Sequence, residues 1–88
     1  MQKQILVIED EEIARKNLEH ILAKEGYKVV AVDSGTKGLN LIKSRSFDLI
    51  ITDYNMPEMD GHELLLFIRH RSNQKSVPVM LVTTEGDE

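Results

Sequence analysis

At 88 residues the chain has room for one domain, because a second core would bury too little apolar surface to offset its own chain entropy. It is 41% hydrophobic and 30% charged, as soluble globular proteins are, and with two tyrosines, two phenylalanines and no tryptophan its core must be mainly aliphatic. A formal net charge of -4 argues against nucleic acid or anionic lipid as a partner, and the lack of cysteine excludes disulfides, thiol nucleophiles and thiolate metal sites.

Met1-Gln2-Lys3-Gln4 leads into only four apolar residues, too few for a signal-peptide core or a membrane span, so a cytoplasmic protein with no membrane partner is expected. That run, Ile5-Leu6-Val7-Ile8, is continuous and ended by acids, as a strand buried on both faces would be. Residues 11–25 place Ala14, Leu18, Ile21 and Leu22 at helical spacing, with Glu11/Arg15 and Glu12/Lys16 as i,i+4 pairs outside and Gly26 as the left-handed stop. A second short strand covers residues 28–32. Asp33 or Ser34 can cap a following helix to about Arg45, with Leu39, Leu41 and Ile42 facing inward.

Leu49-Ile50-Ile51-Thr52 forms a third apolar run ending in Asp53, and the turn-forming string from Asn55 to Gly61 is a loop. Helical periodicity returns over residues 62–71 through Leu64, Leu65 and Ile68, with Leu66 and Phe67 extending the apolar set. Such an extension suits either wrapping around the core or contact with a neighbouring subunit. Pro78 opens a fourth strand over residues 79–82. His20 and His70 fall on outer helix faces and His62 at a helix start, where no chemistry is expected of them. Repeated strand-helix alternation predicts an α/β fold with a parallel sheet, right-handed crossovers and helices on both faces.

Open parallel sheets bind ligands beyond the carboxyl ends of their strands, where this chain places Glu9, Asp10 and Asp53. Strand-end acids can also be plain solvated loop residues. Carboxylates held close together raise one another's pKa, and a hard divalent ion such as Mg2+ relieves that. The string Asp53-Tyr54-Asn55-Met56-Pro57-Glu58-Met59-Asp60-Gly61, together with Glu9-Asp10 and Thr83, resembles response-regulator receiver domains, most closely the single-domain chemotaxis receivers.

The resemblance implies a flavodoxin-like, doubly wound sheet of strand order 2-1-3-4. It implies Asp53 as phosphoacceptor, Mg2+ held by Glu9, Asp10, Asp53 and the backbone carbonyl of Asn55, and Thr83 as the hydroxyl contacting the phosphoryl group. The donor would be a histidine kinase or phosphotransfer protein. Glu9 stands where many relatives carry Asp. Pro57 and Gly61 shape the loop, and Met56 and Met59 are expected to pack rather than bind.

A complete receiver continues through a fourth helix, a fifth strand bearing a lysine, and a fifth helix, so residues 1–88 are expected to be one receiver domain truncated after its fourth strand. The fourth strand then becomes an apolar edge, suited to a homodimer through that edge and the third helix, or to completion by another chain. An assembly module without phosphorylation is the alternative function. An aspartyl phosphohydrolase is disfavoured because Asn55 stands where such enzymes place a second Asp as general acid.

Overall fold

The computed structural model describes residues 2–53, 61–71 and 77–82. Strand β1 (Gln4–Ile8) forms from the first apolar run, and Ile5, Leu6, Val7 and Ile8 are all buried, as a run apolar on both faces must be. Strands β2 (Lys28–Val32) and β3 (Leu49–Asp53) flank it in parallel, and β4 (Val79–Val82) adds to β3, giving the order β2-β1-β3-β4. Ile50 N bridges to the carbonyl of Pro78 at 3.0 Å, so the proline contributes its acceptor just before β4 begins. The α/β class and the predicted strand order are both present.

Helix α1 (Glu12–Lys24) covers one face of the sheet, where Leu18 and Leu22 pack on Ile5, Val7 and Ile51. Helices α2 (Gly35–Ser44) and α3 (Gly61–Arg71) cover the other, where Ile42, Leu64 and Ile68 close over Leu6, Ile8 and Ile50. Burying each such side chain contributes about 1.5–3 kcal/mol. The chain runs outward from β1 to β2 and then returns past β1 to β3, so the winding reverses between β1 and β3. The carboxyl ends of those two strands flank the crevice where doubly wound sheets bind ligands.

Local signals end the helices where the sequence suggests. Glu11 caps α1 by accepting from Ala14 N at 2.8 Å, and Gly26, at φ 97°, terminates the following turn. Ser34 caps α2, accepting from Lys37 N at 3.2 Å, while Asp33 pairs with Lys37 at 2.9 Å. Glu12 and Lys16 form their predicted pair at 3.3 Å. Glu11 and Arg15 do other work instead, the first as a cap and the second on the carbonyl of Glu9.

Three expectations about apolar faces are resolved. Ile21 is 56% exposed rather than on the inner stripe with Leu18 and Leu22, because α1 lies mainly over β2 and β1 and buries only a narrow stripe there. Phe67 packs against the core beside α2, with Lys43 Nζ 5.9 Å from its ring, so this residue wraps the core. Leu66 stays exposed, as do Met80 and Leu81 on β4, which among the described strands pairs only with β3 and forms the apolar edge anticipated. His20 is exposed. Of the loop expected from Asn55 to Gly61, Gly61 instead begins α3, while residues 55–60, with Met56, Pro57 and Met59, lie outside the described residues, as do residues 83–88, with Thr83, and the side chains of His62 and His70.

Gly38 lets α2 approach β1. A Cβ there would overlap Ile8 Cδ1 and come within 2.9 Å of Ile8 Cγ1, and the fully buried Ile8 has little room to yield. Gly38→Ala is therefore expected to lower stability by about 1–3 kcal/mol despite alanine's better helix propensity, read as a reduced urea midpoint at constant slope.

Candidate functional site

Three acidic residues meet at the crevice between β1 and β3. The parallel register pairs Ile8 with Thr52, so the residues that follow, Glu9 and Asp53, emerge side by side from adjacent strands. Asp10 follows Glu9 directly. One ligand oxygen from each of Glu9, Asp10 and Asp53 lies within 4.8 Å of the others. Glu9 and Asp53 are each only 3% exposed, whereas Asp10 is open to solvent.

Local geometry holds these groups in place. Glu9 N donates to the carbonyl of Val32 at 3.0 Å, and Glu9 Oε2 accepts from Glu11 N at 3.1 Å at the entrance to α1. Arg15 Nη1 donates to the Glu9 carbonyl at 3.1 Å. Beneath Asp53, the fully buried Thr52 donates its hydroxyl to the Asp53 carbonyl at 3.2 Å.

Burial pushes the Glu9 carboxyl above the usual carboxylate range. The Glu11 N–H opposes that shift, while the charge of Asp53, a hydrogen bond shared with Asp53 and the charge of Asp10 add to it. Three carboxylates this close, two of them buried, call for a proton or a cation. The donor set is entirely of hard oxygens, which suits a divalent ion such as Mg2+ better than a soft metal.

The residues from 5 to 88 match the family described as Response regulator receiver domain. The chain belongs to that family. A rice protein, "Two-component response regulator ORR5" of Oryza sativa subsp. japonica, is 39% identical over 83 residues, covering 93% of this chain and 62% of that protein. "Response regulator protein FleR" of Pseudomonas aeruginosa is 41% identical over 86 residues, 98% of this chain but 18% of its own length.

Among solved structures, the chemotaxis response regulator CheY4 of Vibrio cholerae superposes with a TM-score of 0.91 at 32% identity, covering 99% of this chain and 72% of that one. The described residues of this receiver chain thus have the CheY-like arrangement of four parallel strands and three helices. It spans less than two thirds of the length of the rice regulator. Receiver domains bind Mg2+ and act in two-component signal transduction, typically as phosphoacceptors rather than as enzymes in the ordinary sense. No helix among the described residues is long and apolar enough to cross a membrane.

Sequence reasoning brought Glu9, Asp10 and Asp53 to one place, and the structure does the same. Asn55 and Thr83 lie outside the described residues. Sequence reasoning passed over Arg15, whose position suggested an ordinary surface pair with Glu11. Only the closeness of its guanidinium to the Glu9 carbonyl reveals another contact.

Proposed function

We propose that this chain is a phosphoacceptor receiver in which Asp53 takes a phosphoryl group from a histidine kinase or phosphotransfer protein in a Mg2+-dependent reaction. The observation that carries the reading is the convergence of Glu9, Asp10 and Asp53 within 4.8 Å at the crevice where the sheet's winding reverses. Glu9, Asp10, Asp53 and the backbone carbonyl of Asn55 would hold the ion, and Thr83 would donate its hydroxyl to the phosphoryl group. Bound Mg2+ supplies charge neutralisation, which lets a phosphoryl group approach a cluster that would otherwise repel it.

Asp53 closes β3, so its carboxylate is aimed from a rigid strand end with little freedom to lose. One of its oxygens forms the new O–P bond while the donor's P–N or P–O bond breaks and the electron pair leaves with the donor. Glu9, tied to Glu11 N, stands beside this oxygen without competing for phosphorus. Its side chain is one methylene longer than an aspartate's and reaches the N–H at the start of α1, a contact that distinguishes its role from a freely pointing carboxylate.

Incubation with acetyl phosphate and Mg2+, read by intact mass, tests the reading. A phosphoryl adduct is expected on the wild type, with none on Asp53→Asn and none when Mg2+ is chelated. An unmodified wild type that still binds Mg2+ would overturn the assignment of Asp53.

A second reading, assembly through the sheet edge, is favoured by the exposure of Met80 and Leu81 on β4 and of Leu66 on α3. It predicts a homodimer by light scattering that Leu81→Lys dissociates. A monomer at high concentration would exclude it.

A further inference from the structure

We propose that Arg15 is a positioning residue of the acidic site, its guanidinium locking the peptide plane between Glu9 and Asp10 and so setting where those two carboxylates stand. The inference rests on the receiver reading and concerns a side chain outside the carboxylate set. Arg15 lies in the first half of α1, half-buried, and reaches back six positions to donate Nη1 to the Glu9 carbonyl at 3.1 Å. The carbonyl of Glu9 and the nitrogen of Asp10 belong to one planar unit. Holding that carbonyl therefore fixes ψ of Glu9 and φ of Asp10 together, and these angles decide how the chain turns from β1 into α1.

The neighbouring contacts leave this peptide as the free joint of the turn. On its upstream side, Glu9 N is anchored to the Val32 carbonyl at 3.0 Å, which ends the β1–β2 ladder. On its downstream side, Glu11 is fixed as the cap of α1, and its N–H is bound to Glu9 Oε2. Asp10, exposed and between the two, supplies one of the three clustered oxygens. Releasing the Arg15 contact frees the plane to rotate and disperses Asp10 from Glu9 and Asp53.

Arg15 also acts electrostatically. Its charge reaches Asp33 at the end of β2, whose carboxyl is held below the usual range first by its hydrogen bond to Lys37 and more weakly by Arg15. A cation on the flank of a metal site repels the incoming ion, so charge and geometry push affinity in opposite directions when Arg15 is removed. Geometry prevails here because solvent screens a half-exposed guanidinium, whereas misplacing a ligand removes a coordinating oxygen outright.

Calorimetric titration of the whole chain with MgCl2, paired with urea unfolding of the apo protein, separates the possibilities. Arg15→Ala is expected to weaken Mg2+ binding by about 10-fold, the lower end for outer contacts of a metal site, and Arg15→Lys is expected to fall between it and the wild type. A merely structural residue would lower the urea midpoint and leave the Mg2+ affinity of the folded protein unchanged. That result, or tighter binding by Arg15→Ala, overturns the proposal. Should Arg15→Ala fail to fold, Arg15→Lys decides: affinity weakened about 3-fold supports a geometric lock, while wild-type affinity overturns it. A wild type that binds no Mg2+ instead fails the receiver reading itself, and the positioning role falls with it.

Discussion

In the absence of Mg2+, Asp53→Asn is expected to unfold at a higher temperature than the wild type, and to lose the further gain that Mg2+ gives the wild type. Asp53 and Glu9 are both buried, and their oxygens lie within 4.8 Å of each other and of Asp10. Two like charges at that separation repel by about 3 kcal/mol at an effective dielectric of about 20, and exposure of Asp10 to water softens its share. The amide of asparagine keeps the size of Asp53, removes one charge and can donate to the Glu9 carboxylate. Stabilisation of roughly 1–3 kcal/mol follows. For the wild type, Mg2+ at 100 times its Kd adds about 2.7 kcal/mol, and Asp53→Asn should show a small fraction of that. Scanning calorimetry with and without Mg2+ measures both, and an apo Asp53→Asn less stable than the wild type would contradict the charge argument.

The same repulsion has a pH signature. The Glu9 carboxyl is raised above its unfolded value, first by burial and then by Asp53 and Asp10. A folded state that holds a proton more tightly than the unfolded state loses stability as pH rises. The contribution of Glu9 is thus fully present below the ordinary glutamate range and is lost as pH climbs through its raised folded value. Unfolding midpoints of the apo wild type should therefore fall across that window, and Glu9→Gln should flatten the slope.

Much of this was legible in the chain because the relevant signals are local. Continuous apolar runs marked β1 and β3, and acids placed after them had to emerge at the same end of a parallel sheet, so Glu9, Asp10 and Asp53 could be brought together from sequence alone. Contacts that depend on how elements lie against one another were not legible. Helical spacing put Ile21 with Leu18 and Leu22 but carried no information on how many strands α1 covers, and the side chain is 56% exposed. Arg15 reads as a partner for Glu11 at i,i+4, whereas the turn from β1 brings the Glu9 carbonyl closer. Gly38 looks like a weak point in α2 until Ile8 is seen against it.

Leu64→Ala is expected to cost about 2–5 kcal/mol, while Leu66→Ala, two residues on, should change stability by no more than about 0.5 kcal/mol. Leu64 is fully buried among Leu6, Ile8, Ile50 and Ile68, where close packing leaves no slack to refill the volume of three lost carbons. Leu66 is 46% exposed on the same helix. Small domains have some 5–15 kcal/mol of stability in all, so the first change removes a large share of it and the second almost none. The consequence reaches the site, because Leu64 and Ile68 of α3 pack in one cluster with Ile8, the residue that directly precedes Glu9. Loosening α3 should therefore weaken Mg2+ binding even in the molecules that remain folded, through the position of Glu9. Urea midpoints for both variants, with Mg2+ titration of the folded Leu64→Ala protein, check the two steps separately. Equal midpoints for the two variants would mean that α3 presents a different face to the core from the one described.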